Sequence, residues 1–239
     1  MARDRPLLAV LIDADNVPAK YASALLDEVN RIGEPALRRV YGDWSSGKLN
    51  KWSEQILSLG LVAHQDTANT TGKNASDIGL VIDAMDILHG GRFDGFVIVS
   101  SDSDFTALAN RLREDGLMVI GIGETKAPEA LRNVCNRFIL IENLPGIQDD
   151  EAPADKSKSA LPLNHAYQRI RNAMNSIEQD DDWYSLGQIK NAITASHSDF
   201  DQRSYGHAKF SGLVKALSDK IETKSAGNTI LIRSRKPPR

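Results

Sequence analysis

Residues 96–105 read "FVIVSSDSDF". Phe96, Val97, Ile98 and Val99 form an apolar run, as expected of a strand buried on both faces of a sheet. The run ends abruptly in Ser100, Ser101, Asp102, Ser103 and Asp104. A second run, "PLLAVLID" at 6–13, ends the same way, on Asp13 within "LIDADN". Two buried strands that both stop in carboxylates demand a fold in which their ends meet.

Outward from these runs, strand-like and helix-like segments alternate. Strands are expected at 36–43, 61–65, 117–123 and 137–142, and helices at 18–33, 48–60, 75–90, 104–116 and 128–135. Strict alternation of this kind specifies an α/β fold with a parallel sheet and helices on both faces. Ligands in such sheets bind outside the carboxyl ends of the strands. Asp13, Asp102 and Asp104 therefore fall on one rim. Asp77 lies in the first turn of the 75–90 helix, at the border of an apolar face assigned to Ile78, Val81, Ile82, Met85 and Leu88. Asp83 and Asp86 fall on the opposite, solvent-facing side of the same wheel.

Converging acids repel one another: at ~4 Å and an effective dielectric of ~20 a pair costs about 4 kcal/mol. A divalent cation removes that cost. Oxygen ligands without paired His or Cys favour Mg²⁺ or Mn²⁺ over Zn²⁺, and such ions can activate water toward a phosphodiester. Taken singly, each acid has a simpler role. Asp102 and Asp104 can cap the helix that follows, Asp13 can shape a turn, and Asp77 can favour a helix N-terminus. Capping does not explain acids on two strand ends and a third element together. Asp15 and Asn16 shape the turn before Pro18, and Asn16 can orient Asp13 or contact a phosphate. Lys73 can neutralise phosphate charge or be a solvated loop residue, Ser101 can contact substrate, and His64 ends a strand that can face the same rim but reads first as structural. "GIGETK" at 121–126 lacks the dinucleotide fingerprint, and no phosphate loop ending in Gly-Lys-Ser/Thr is present.

The 239 residues carry a net charge of -3. Residues 1–150 hold 15 Lys and Arg against 22 Asp and Glu, whereas residues 151–239 hold 14 against 10. An acidic half is thus joined to a basic one. The single cysteine, Cys135, reads as a core residue and builds neither disulfide nor thiolate zinc site. No apolar run reaches the ~18 residues of a membrane span, and the N-terminus does not read as a signal peptide, so the expectation is a cytoplasmic protein without a membrane role.

Residues 144–162 break the periodicity with three prolines, acids and small residues, and read mostly as a linker. Beyond them, helices are expected at 163–179, 185–196 and 207–219, with Ser185 as N-cap, and then a hairpin over 220–233 turning at Gly227-Asn228. Three helices and a hairpin make a winged helix-turn-helix recipe.

With "LIDADN", "GKNASDIGLVIDAMD" and "VIVSSDSDF" in order across residues 5–143, the chain resembles the NYN domain family, PIN-like nucleases that include the bacterial LabA-like group. The resemblance implies a PIN-like parallel sheet sandwiched by helices and a metal-dependent ribonuclease site. Asp13 matches the first-strand acid and Asn16 its companion. Asp77 matches the acid of the Lys-x-x-x-Asp segment, here Lys73 to Asp77, and Asp102 and Asp104 match the Ser-x-Asp-x-Asp-Phe motif. Trp183, Leu186, Phe200, Tyr205-Gly206 and Phe210 resemble a LOTUS (OST-HTH) domain over residues 162–234. That resemblance implies a smaller winged-helix-like α+β domain that binds RNA or a partner protein. Lys209, Lys215, Lys220 and Lys224 are its candidate RNA contacts, while Trp183, Phe200 and Phe210 read as core. The expected organisation is a nuclease domain over 1–145, a linker over 146–160, the LOTUS-like domain over 161–234 and a basic tail over 235–239. The expected function is an Mg²⁺- or Mn²⁺-dependent endoribonuclease. The rivals are an RNA-binding adaptor with a silent site and a protein-interaction module.

Overall fold

The computed structural model describes residues 4–65, 75–146, 160–179, 181–227 and 229–235. The chain divides into two compact units, Met1–Gln148 and Asp149–Arg239. Among the described residues no helix is long and apolar enough to cross a membrane.

The first unit is built on six strands: β1 (Leu7–Asp13), β2 (Glu34–Gly42), β3 (Val62–Gln65), β4 (Gly95–Val99), β5 (Met118–Gly123) and β6 (Arg137–Leu140). Their order is β3-β2-β1-β4-β5-β6, and every neighbouring pair is parallel. The chain winds outward from β1 in one direction, then returns to lay β4 against the other side of β1. Strand order reverses at that point, and the crevice beyond the two strand ends is where such sheets place ligands.

Side chains alternate between the two faces of each strand. Leu8, Val10 and Ile12 of β1 join Val97 and Val99 of β4 in a core that also takes in Leu25, Leu26 and Val29 of α1 (Ala22–Ile32) and Trp52 of α2 (Asn50–Leu59). Ala9 and Leu11 join Phe96 and Ile98 in a second core. That core also holds residues of α3 (Ala75–His89), α4 (Phe105–Glu114) and α5 (Glu129–Val134). Continuous apolar runs are thus buried on both faces, and the α/β reading of the sequence holds.

Helix α3 corrects one sequence expectation. Leu80 and Ala84 form its buried stripe, while Ile78 and Ile82 are 60% and 58% exposed. Val81, Met85 and Leu88 pack against the core as expected, and Asp77 is half-buried in the first turn. Asp83, expected in solvent, is half-buried and accepts hydrogen bonds from Arg39 and from the Tyr41 hydroxyl on β2. Apolar residues ring this helix, so periodicity alone does not choose a face; the half-buried pairing of Asp83 with Arg39 and Tyr41 fixes it. Asp86 is exposed, as expected.

The Gly-x-Gly pattern of β5 has a packing cause. A Cβ at Gly121 would stand 2.4 Å from the Phe138 ring and 2.9 Å from Cys135 Sγ, and one at Gly123 would stand 2.6 Å from the Ser100 carbonyl oxygen. Cys135 is itself buried, and burial pushes its thiol up to about 12, as befits a core residue.

The second unit packs α6 (Leu163–Ser176), α7 (Leu186–Ser196) and α8 (Phe210–Ala216) on a three-stranded antiparallel sheet. The strand order is β7 (Tyr184–Ser185), β9 (Thr229–Ser234), β8 (Ile221–Ala226). Ser185 caps α7 in a reciprocal box with Gln188. The short strand β7 was not expected. The first helix stops at Ser176 rather than at residue 179, because Ile177 is extended, and the third starts at Phe210 rather than at residue 207. The expected turn begins at Gly227, at φ 59, and Asn228 lies outside the described residues.

Replacing Gly121 with Ala forces the buried Phe138 ring and Cys135 to shift. The expected cost is about 1–3 kcal/mol, read as a lower urea midpoint at unchanged slope.

Candidate active site

Asp13 is the last residue of β1, and alternation puts its side chain on the face that carries α3 and α4. Its carboxylate is buried at 1% exposure and held by three donors. Asn16 donates its backbone N–H to Oδ1 at 3.2 Å and its Nδ2 to Oδ2 at 2.7 Å. Ser100 donates its hydroxyl to Oδ2 at 2.8 Å. A carboxylate offers about four acceptor positions, and donors among the described residues take two on Oδ2 and one on Oδ1. Burial pushes the Asp13 carboxyl above its ordinary range, and the Asn16 and Ser100 hydrogen bonds pull the other way.

The register explains why Ser100 is the partner. Ile12 of β1 pairs with Val99 of β4, so the next residues, Asp13 and Ser100, emerge side by side. Ser100 also orders the acids beyond it. Its Oγ accepts from the Asp102 N–H at 3.1 Å, and Asp102 Oδ1 accepts from the Asp104 N–H at 3.0 Å. Asp104 takes the N-cap position of α4 but makes no side-chain cap hydrogen bond. Asp102 is half-buried and Asp104 is exposed.

Asp77 enters from α3. Burial, then the charges of Asp13, Asp102, Asp104 and Asp15 in that order, raise its carboxyl to about 6. Acids from β1, the β4 exit and the start of α3 therefore share one electrostatic field. Asp15 ties two of these elements together: its Oδ2 accepts from the Ser76 hydroxyl at 2.9 Å. Among the described residues, no three His, Cys, Asp or Glu side chains already stand in the mutual positions that hold an ion. The donor set is all oxygen, mutually repulsive and partly buried, which fits a hard divalent cation better than zinc.

The other expected residues are placed as follows. Ser101 is buried, and its Oγ accepts from the Glu124 N–H at 2.8 Å, which pins the exit of β5. Lys73 lies outside the described residues. The His64 ring is tilted against Tyr41, with centroids 5.2 Å apart. In the second unit, Lys220 donates to Asn164 at 3.0 Å and lies over the Tyr167 ring. Lys224 and Arg233 both lie over Trp183, at 4.2 and 4.6 Å from its centroid. Lys209 and Lys215 are exposed at the two ends of α8. Phe200 and Phe210 are core residues meeting edge to face, whereas Trp183 is only half-buried beneath its two cations. The site residue that sequence reasoning missed is Ser100. The signal was available, since Ser100 follows Ile98 by two and so shares the face of Asp13.

A carboxyl raised to about 6 in the fold, against 3.8 ordinarily, costs stability above pH ~6 and costs nothing once it is protonated in both states, below pH ~4. Asp77→Asn is therefore expected to raise the melting temperature of the first unit near neutral pH. After discounting for solvent screening the gain is about 1 kcal/mol, or roughly 2–4 °C. Calorimetry across this pH range should show the gain vanish in acid.

Known proteins bear on this geometry. The NYN domain matches residues 7–142 and the OST-HTH/LOTUS domain matches residues 163–232, in the expected order. The match is to the NYN domain as a whole and does not single out the LabA-like group. No curated protein matches the chain. Among solved structures, a protein of unknown function from Vibrio parahaemolyticus is similar at 21% identity, over 59% of this chain and 96% of that one, with a TM-score of 0.50. That likeness supports the fold alone. An uncharacterized protein from Nitrosomonas europaea shares 27% identity over 39% of this chain and 91% of that one, but its TM-score of 0.30 carries no argument. With residues 7–142 matched, more than half of its length, the chain belongs to the NYN domain family, of nuclease type, and carries behind that domain an OST-HTH/LOTUS domain of RNA-binding type.

Proposed function

We propose that this protein is a metal-dependent endoribonuclease whose second unit recruits RNA. The observation that carries the reading is the geometry at the sheet's reversal point, where the Ser100 hydroxyl links the buried Asp13 carboxylate to the backbone of Asp102, with Asp77 raised by the same acids. Asp13, Asp77, Asp102 and Asp104 would hold Mg²⁺ or Mn²⁺. A cation there supplies charge neutralisation at the phosphate and a more acidic water for attack on phosphorus.

The chain's own residues prepare that chemistry. Asn16 and Ser100 fix the Asp13 carboxylate in one orientation, so it need not reorganise when substrate arrives. Ser100 also holds the backbone that presents Asp102. Asp83, gripped by Arg39 and Tyr41, clamps α3 to β2 and so sets where Asp77 stands. The second Nδ2 proton of Asn16, unpartnered among the described residues, would meet a phosphate oxygen. Lys73 is retained as a phosphate contact from the segment before α3.

In the second unit, Lys209, Lys215, Lys220 and Lys224 would contact RNA phosphates, and the OST-HTH/LOTUS match supports that role. Joining the units by residues 146–160 raises the effective concentration of captured RNA at the acidic site. A chain with one buried cysteine suits a reducing cytoplasm.

Asp102→Asn is expected to lower Mg²⁺-dependent cleavage of single-stranded RNA by the full chain at least about 100-fold, with RNA affinity by anisotropy unchanged within about two-fold. Cleavage at the wild-type rate would contradict the assignment. RNA binding by a wild type that never cleaves would favour the adaptor reading.

A further inference from the structure

An acidic nuclease unit must still guide a polyanion to its acids. Most arginines of the unit are occupied by its own fold. Arg39 pairs with Asp83, Arg31 and Arg137 with Glu28, and Arg111 with Asp115. Arg5, Arg38 and Arg113 donate to backbone carbonyls. Residues 1–148 contain five lysines: 20, 48, 51, 73 and 126. Lys126 pairs with Glu124 at 2.6 Å, and Lys73 lies outside the described residues. Lys20, Lys48 and Lys51 line a single groove of about 520 Å³, with Lys48 also interacting with Asp43.

That groove adjoins the acids. Asp15 and Asn16 form part of its wall, and Asn16 is the residue that holds Asp13. Its floor is rigid: Trp52 is 2% exposed and donates its Nε1 to the Val17 carbonyl at 2.9 Å. The volume lies within the range of about 300–1,000 Å³ that small-ligand sites occupy. All three lysines are exposed, Lys20 beside the Tyr21 ring and Lys48 within the field of Asp43. Ammonium groups on flexible stems suit phosphates whose exact position varies with sequence.

We propose that this groove is the strand track of the nuclease unit: Lys20, Lys48 and Lys51 bind the phosphodiester backbone of single-stranded RNA next to the bond presented to Asp13. The substrate class rests on the nuclease reading above; the groove itself rests on the clustering of charge beside Asn16. Base recognition is not required, since the groove offers cations to phosphates and one face of Pro18 to a ribose or base. The track thus supplies in the first unit the positive charge that its composition lacks.

The test is lysine footprinting by reductive methylation and mass spectrometry. The full chain carrying Asp102→Asn is labelled with and without a single-stranded oligouridylate in Mg²⁺. Labelling of Lys20, Lys48 and Lys51 should fall several-fold, while Lys126 is unchanged. Equal labelling with bound RNA overturns the proposal. In parallel, the triple variant K20A/K48A/K51A in the otherwise wild-type chain should raise KM about 10-fold and leave kcat within about two-fold. The salt dependence of its log kcat/KM should become shallower by about 2, from three lost phosphate contacts. Footprints without any cleavage by the wild type would retire the nuclease reading and leave the track standing; cleavage with no footprint would do the reverse.

Discussion

The Ser100 hydroxyl bonded to Asp13 is the interaction on which the site depends. It joins the two central strands just past their last paired residues, where strand order reverses. Asp13 and Ser100 are both about 1% exposed there, so each buried polar group needs a partner and finds it in the other. One hydroxyl then does two things: it donates to the buried carboxylate of β1 and accepts from the backbone that carries Asp102. Removing it would leave Asp13 short of a donor and free the turn that aims the next acid.

Around that bond the unit gathers like charge. Asp77 and Asp13 are both pushed upward, and for both burial is the larger cause. Such an arrangement opposes folding, and a protein keeps it only where something else gains by it. Under the proposed function, a hard cation with phosphate oxygens would convert that repulsion into binding. The same logic explains the division of charge along the chain. Acids concentrate at the strand ends of the first unit, its lysines 20, 48 and 51 line a separate groove, and the second half of the chain carries the net positive charge.

Much of this was legible in the sequence, and the parts that were not share a cause. The six strands, and the acids that end β1 and follow β4, announced themselves because continuous apolar runs and abrupt carboxylates are local signals. Asp13, Asp102 and Asp104 could be placed on one rim from strand direction, and Asp77 followed from the first turn of its helix and the family resemblance. The inner face of α3 could not, because Ile78 and Ile82 are as apolar as Leu80 and the deciding contact, Asp83 with Arg39 and Tyr41, spans more than forty residues. Ser101 and Ser100 were indistinguishable by residue type; register separated them. The strand Tyr184–Ser185 is only two residues long, too short for any periodicity, and exists because β9 offers it an edge. The lysine groove draws on residues 20, 48 and 51, which are brought together by the packing of α2 against the β1 exit and carry no motif of their own.

The most direct test of the central claim is diffraction from crystals soaked in Mn²⁺ and measured at its absorption edge. The account predicts an anomalous peak at the β1–β4 reversal point, bonded to Asp13 and to at least one of Asp77 and Asp102, with oxygens about 2.0–2.2 Å away. Saturating Mn²⁺ with no peak at that rim, or with peaks only at other surfaces, would contradict it.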